Sequence, residues 1–212
     1  MSDPKNSRLP LLFAACLAVA MGSSLAWWMR HRPAESAGAT AVEGLLWPPP
    51  RMLADMALVD QRGAGFGAER LNGKWTLMFF GFTHCPDVCP TTLATLKQAM
   101  PHMPPDTQVV FVSVDPERDS PEKLAAYMAY FSPEFIGLGG DPDKITALEK
   151  SLGVLAARVP QGDSGDYTMD HSAAVFVIDP KQREVGVISP PLSVETLHQT
   201  YANIRHFVEQ QG

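Results

Sequence analysis

Trp75-Thr76-Leu77-Met78-Phe79-Phe80-Gly81-Phe82-Thr83-His84-Cys85-Pro86-Asp87-Val88-Cys89-Pro90 decides the fold of this chain. Trp75–Phe82 is a continuous apolar run without alternation, the pattern of a strand buried on both faces of a sheet. Two cysteines follow, four residues apart, each with a proline after it. Beyond them Leu93, Leu96, Ala99 and Met100 recur at helical spacing. The stretch therefore predicts a strand, a short loop and a helix in immediate succession. Pro90 fits the first helical turn, where a missing N–H costs no hydrogen bond.

The same grammar repeats on either side. Val109–Val114 reads as a second buried strand, stopped by Asp115-Pro116. Ser120-Pro121 supplies an N-cap and a proline at the first helical position, opening a helix through Leu124, Tyr127 and Met128. Phe135–Leu138 suits a short strand; Asp141-Pro142 is another helix start, and Gly153 closes that helix. Ala173–Ile178 and Glu184–Ile188 read as strands joined by Asp179-Pro180-Lys181-Gln182. Ser193 caps a final amphipathic helix with Leu197, Ile204 and Phe207 inside. Upstream, Met56–Val59 and a segment near Phe66 flank Asp60-Gln61-Arg62-Gly63 as a hairpin. The order βα, βα, βα, ββα predicts an α/β fold, a central mixed sheet flanked by helices.

The 212 residues, 45% hydrophobic and 19% charged, are enough for one such domain with chain to spare. The net charge of −6, from 17 basic and 23 acidic residues, excludes a nucleic-acid binder relying on a broad basic surface. Three cysteines are too few for a disulfide-stapled scaffold. A mean hydropathy of −0.05 hides an uneven distribution. Residues 9–29 carry no charge and are flanked by Arg8 and Arg30. At about 1.5 Å per residue such a helix spans a hydrocarbon core of roughly 30 Å. Trp27 and Trp28 stand at its end, where indole rings favour the membrane interface.

We read residues 9–29 as a single transmembrane anchor behind a short tail, residues 1–8. A cleaved signal peptide competes, since Ser24-Leu25-Ala26 has small-x-small form. Lipidation of Cys16 is disfavoured by the few apolar residues before it. Lys5 and Arg8 against Asp3 on one side, and Arg30 and Arg32 on the other, leave the positive-inside rule little to choose. A short tail inside with the large domain outside is the simplest topology. The acid in that tail and its shortage of arginine argue against a mitochondrial transit peptide. Residues 30–50, small and polar and ending in Pro48-Pro49-Pro50, read as a linker stiffened by polyproline geometry, and residues 51–212 as the folded domain. Removing the four basic and two acidic residues of 1–40 leaves 13 against 21, an acidic exported domain. The expected location is a bacterial inner membrane with the domain in the periplasm.

A thiol at a helix N-terminus has its thiolate favoured by the helix dipole and by unpaired N–H groups. Two such thiols can close into a disulfide or together grip a soft metal ion. Burial as small hydrophobes, or a purely structural disulfide, suits the strand–loop–helix setting less well. Oxidoreductases of the thioredoxin type place two residues between their cysteines; the three found here give a wider bite that suits a metal as well as a disulfide. A peroxidatic cysteine stands alone with a threonine three before it, whereas Thr83 is two before Cys85.

Two thiolates alone leave a transferable metal underligated, so a third donor must come from elsewhere. Asp170-His171-Ser172, just before the predicted strand Ala173–Ile178, offers His171 at a sheet edge. The neighbouring candidates have plainer readings. Asp87 either bears on the thiolates or contacts a partner, or is a solvated loop acid. His84 is structural or a hydrogen-bond donor behind the ligands. Met100-Pro101-His102-Met103 resembles a soft-metal patch but reads better as a helix end and surface loop. Met169, a candidate weak axial donor near His171, reads better as a packing residue, and Cys16 is inert in the apolar segment.

Phe80–Pro90, Asp170-His171-Ser172 and the intervening Val112-Ser113-Val114-Asp115-Pro116-Glu117-Arg118-Asp119 together resemble the Sco/SenC family, over roughly Leu53 to Phe207. The resemblance implies a thioredoxin-like fold on a membrane tether, serving assembly of the CuA centre of cytochrome c oxidase. It implies one copper held by Cys85, Cys89 and His171. Two thiolates and an imidazole favour Cu(I) over hard cations, with Cu(II) as a second state. An open coordination position lets an acceptor thiolate take the metal by ligand exchange. Loading requires both thiols reduced, and an oxidising compartment drives the empty pair toward a Cys85–Cys89 disulfide. The implied partners are the CuA-bearing oxidase subunit, other copper chaperones and a thiol reductant. The alternative is an enzyme, a thiol–disulfide oxidoreductase whose redox-active pair, Cys85 and Cys89, reduces the cysteines of the copper-acceptor subunit. Redox exchange needs no imidazole ligand, so His171 separates the two readings.

Overall fold

The computed structural model describes residues 50–54, 56–162 and 165–211, together with Gly44. The order is β1 (Arg51–Met52), β2 (Leu58–Asp60), β3 (Gly65–Phe66), β4 (Trp75–Gly81), α1 (Val88–Ala99), β5 (Thr107–Ser113), α2 (Pro121–Phe131), β6 (Ile136–Gly139) and α3 (Pro142–Leu152). There follow β7 (Ala156–Pro160), β8 (Tyr167–His171), β9 (Val175–Ile178), β10 (Arg183–Ile188) and α4 (Val194–Gln211).

One mixed sheet runs β1-β10-β9-β4-β5-β6-β2-β3. At its middle, β4 pairs parallel with β5, Leu77 opposite Val109 and Gly81 opposite Ser113. On its other side it pairs antiparallel with β9, Phe79 opposite Val175. Every residue of β4 is buried, which is why its sequence lacks polar alternation. Phe79, Phe80, Phe111, Val177 and Leu93 are inaccessible to solvent. Each such side chain contributes about 1.5–3 kcal/mol through burial. Phe80 meets Phe176 edge-on, with ring centroids 5.7 Å apart. α1 packs against α2 and α4, and α3 lies against β1.

The helix ends follow the sequence signals. Ser120 Oγ accepts from the Lys123 N–H at 3.4 Å, Asp141 Oδ1 from the Asp143 N–H at 2.9 Å, and Ser193 Oγ from the Thr196 N–H at 3.0 Å. Gly153 closes α3 in the left-handed region, at φ 69°. The anticipated hairpin is β2–β3.

Three features depart from the sequence reading. Phe207 is half-buried rather than inside. β1 adds an unforeseen edge strand beside β10. A separate two-stranded ribbon, β7–β8, carries His171 at its end, and the next strand starts at Val175 rather than Ala173. Within the expected linker, the Gly44 carbonyl accepts from the Val187 N–H at 2.6 Å. The expected anchor over residues 9–29 and Cys16 lie outside the described residues. Among the described residues no helix is long and apolar enough to cross a membrane.

Candidate metal centre

Cys85 lies in the loop between β4 and α1, its N–H bonded to the Phe82 carbonyl at 3.2 Å in a tight turn. Cys89 is the second residue of α1 and is fully buried. Both cysteines are free thiols. The Cys89 N–H points at Cys85 Sγ, 3.4 Å away, so the first turn of the helix presents an unpaired donor to that sulfur.

The two sulfurs divide their proton unequally. The Cys89 thiol beside it is the largest influence on Cys85, lowering its pKa to about 4; His171 and the N–H groups of Asp87 and Cys89 act in the same direction, against partial burial. Cys89 is pushed the other way, first by its bond to the Cys85 sulfur and then by burial. One proton is therefore shared by the pair and resides on Cys89, leaving Cys85 as a thiolate at neutral pH.

His171 Nε2 sits 3.4 Å from Cys89 Sγ. Its Nδ1 lies 3.1 Å from the Ser172 carbonyl oxygen, which can only accept, so Nδ1 carries a proton and the bond fixes the ring with Nε2 toward the sulfurs. Phe82 and Phe79 meet the imidazole edge-on at 5.8 and 6.1 Å and restrict its rotation. One ligand atom each from Cys85, Cys89 and His171 lie within 4.8 Å of one another. Two soft sulfurs and an imidazole nitrogen, with the outer ring nitrogen tied to backbone, suit a soft metal ion such as copper.

Other candidates stand apart from this cluster. His84 is turned toward Thr83 Oγ1 (3.2 Å) and Asp119 Oδ1 (3.8 Å). Asp87 is exposed at the helix N-cap position without a capping bond from its side chain. Met169 packs against the core, and the 3-10 turn Met100–His102 lies at the far end of α1 with Met103 buried.

Sequence reasoning missed two supports. Gly81 leaves room for the sulfur, since a Cβ there would stand 2.9 Å from Cys89 Sγ and 2.8 Å from Phe111 Cε2. A lone glycine among Phe79, Phe80 and Phe82 is the signal of a close approach. The second support is Asp119, 3% exposed, which accepts from the Thr83 N–H at 3.0 Å, the Thr83 hydroxyl at 2.6 Å and the Ser113 hydroxyl at 2.6 Å. It pins the cysteine loop to the end of β5.

The SCO1/SenC family model matches residues 48–206. This chain belongs to the SCO1/SenC family. It is 36% identical over 164 residues to a protein of Stutzerimonas stutzeri named for copper binding, covering 76% of this chain and 80% of that one. It is 40% identical over 132 residues to the human mitochondrial SCO2 homolog, covering 59% of this chain and only 49% of the human protein. Among solved structures, Bradyrhizobium japonicum ScoI with copper bound aligns with a TM-score of 0.64 at 39% identity, covering 73% of this chain and 98% of that one. The α/β arrangement, a central mixed sheet with flanking helices, is that of Sco structures.

Proposed function

We propose that this chain is a membrane-anchored copper metallochaperone that delivers Cu(I) to the CuA centre during cytochrome c oxidase assembly, with Cys85, Cys89 and His171 as the ligands. The observation that carries the reading is the convergence of two sulfurs and an imidazole nitrogen within 4.8 Å, on a βα loop and a ribbon far apart in sequence. Copper binding in the Bradyrhizobium relative's structure, and in the name of the Stutzerimonas protein, supports the same cargo.

The chemistry is ligand exchange. The Cys85 thiolate is available at neutral pH, and copper entry displaces the proton held on Cys89. A three-coordinate ion has an open side through which a thiolate of the CuA-bearing subunit can attack. Metal–sulfur bonds then pass from this protein to the acceptor, with no change in oxidation state and no release of free copper. In this reading residues 9–29 anchor the protein in a bacterial inner membrane, residues 30–50 are the linker, and the domain 51–212 works in the periplasm. Other copper chaperones load it, and a thiol reductant keeps the pair open.

The low pKa of Cys85 beside a buried partner thiol favours one second reading, thiol–disulfide exchange with the acceptor's cysteines. A transfer assay separates the two. Cu(I)-loaded protein mixed with reduced, copper-free acceptor subunit is expected to lose its metal to the acceptor. Rapid reduction of an oxidised acceptor in metal-free buffer, with no copper transfer in the first assay, would establish the oxidoreductase instead.

A further inference from the structure

Asp115-Pro116-Glu117-Arg118-Asp119 leaves the end of β5 and touches both segments that carry the ligands. Toward the cysteines it reaches Thr83 through Asp119, two residues before Cys85. Toward the histidine it grips Tyr167, the first residue of the strand that His171 ends. Asp115 Oδ1 accepts from the Tyr167 hydroxyl at 2.8 Å, and Arg118 Nη1 donates to the Tyr167 carbonyl at 2.9 Å. The Arg118 guanidinium lies 3.7 Å from the centre of the Tyr167 ring and that of Arg158 lies 3.9 Å from it. The ring is thus packed against both guanidinium groups. Arg158 is tied back to Glu117 at 2.5 Å.

The loop itself is stiff. The N–H groups of Arg118 and Asp119 both donate to the Asp115 carbonyl, at 3.1 and 3.0 Å. Arg118 Nε is bonded to the buried Asp115 carboxylate, and Lys123 Nζ donates to the Arg118 carbonyl at 2.9 Å. The ribbon has no such rigidity of its own. It is two strands outside the main sheet, and most of β7 is exposed. An isolated two-stranded ribbon is marginal in water, so its position depends on what it is fastened to.

Resting on the reading of Cys85, Cys89 and His171 as the copper site, we propose that Asp115, Arg118 and Tyr167 are positioning residues, a latch that fixes the His171 ribbon against the cysteine loop. Closed, the latch brings the imidazole to the two sulfurs and gives a three-donor site. Open, it leaves two thiolates, a site that holds copper less firmly. The latch acts only through the imidazole and touches no metal itself.

Tyr167→Leu tests this while leaving the buried Asp115–Arg118 pair intact; Arg118→Leu is the second variant. In the full chain, reduced and loaded with Cu(I), Tyr167→Leu is expected to weaken copper binding roughly 10- to 100-fold. Its copper X-ray absorption is expected to lose the nitrogen scatterer and keep two sulfurs. Tyr167→Phe, which keeps the ring against both guanidinium groups, is expected to recover most of the affinity. In a His171→Ala background, Tyr167→Leu is expected to cost nothing more. In the metal-free protein, hydrogen exchange of the β8 amides is expected to quicken while β4 and β5 keep their protection. Unchanged affinity, coordination and β8 exchange would overturn the latch, as would a full additional loss in the double variant. A wild-type chain that binds copper without a nitrogen donor would overturn the copper site as drawn, and β8 exchange would then still decide whether the ribbon is latched.

Discussion

Gly81→Ala is a one-atom perturbation aimed at the site from inside the core. The new Cβ would meet Cys89 Sγ at 2.9 Å and Phe111 Cε2 at 2.8 Å. Ordinary contact begins near 3.4 Å, so the sulfur must retreat by about 0.5 Å. The phenyl ring cannot give way instead. Phe111 is fully buried and wedged between Phe79 and Tyr127, at centroid distances of 6.1 and 5.8 Å. Overpacking of this kind costs about 1–3 kcal/mol. For a domain of this size each kcal/mol lowers Tm by roughly 2–4 °C, so a fall of about 2–12 °C is expected. The sulfur that must move is one of the three proposed ligands, so Cu(I) affinity is expected to fall as well. The assay pairs thermal unfolding of the metal-free chain with a Cu(I) competition titration. Gly65→Ala is the control, because nothing lies within 4 Å of a Cβ there and its φ is not positive. A Gly81→Ala protein that melts and binds copper like wild type would refute the reasoning.

Three further outcomes are expected. Asp119→Ala strands the Thr83 and Ser113 donors and is expected to destabilise the protein by roughly 2–4 kcal/mol in urea unfolding, with the cysteine loop exchanging faster than β5. Burial holds the Glu184 carboxyl up at about 7 in the fold, against 4.5 when free. The neutral form is thus the stable one, and stability present below pH 4.5 is lost as pH rises through 7, by up to roughly 3 kcal/mol. Glu184→Gln is expected to flatten that part of the stability–pH curve. Finally, iodoacetamide modification of Cys85 in the metal-free protein, followed by mass spectrometry, is expected to be nearly constant from pH 6 to pH 8 and to fall off toward pH 4. The unfolded chain would instead react like an ordinary thiol, with an inflection near pH 9.

What the sequence could reveal depended on how local the cause was. β4 was legible because burial on both faces leaves an unbroken apolar run, and α2, α3 and α4 were legible because Ser120, Asp141, Gly153 and Ser193 write their caps into adjacent residues. The ribbon β7–β8 carries no comparable mark. Ala156-Ala157-Arg158-Val159-Pro160 is mostly exposed and buries no face, so no period of two appears. Its fastening to the protein comes from Arg118 and Asp115, 49 and 52 residues before Tyr167. The role of the Asp115–Asp119 loop could not be read for the same reason. The presence of Gly81 among aromatics hinted at a close approach, but only the fold reveals that the approaching atom is the Cys89 sulfur. His171 was singled out by the chemistry of the cysteine pair, not by any local pattern around it.

Copper X-ray absorption on the reduced, Cu(I)-loaded full chain, alongside His171→Ala, tests the central claim most directly. One copper per chain is expected, bound by two sulfurs and one nitrogen, with the nitrogen lost and binding weakened in His171→Ala. If His171→Ala holds copper as tightly as wild type in the same coordination, the three-residue site is wrong.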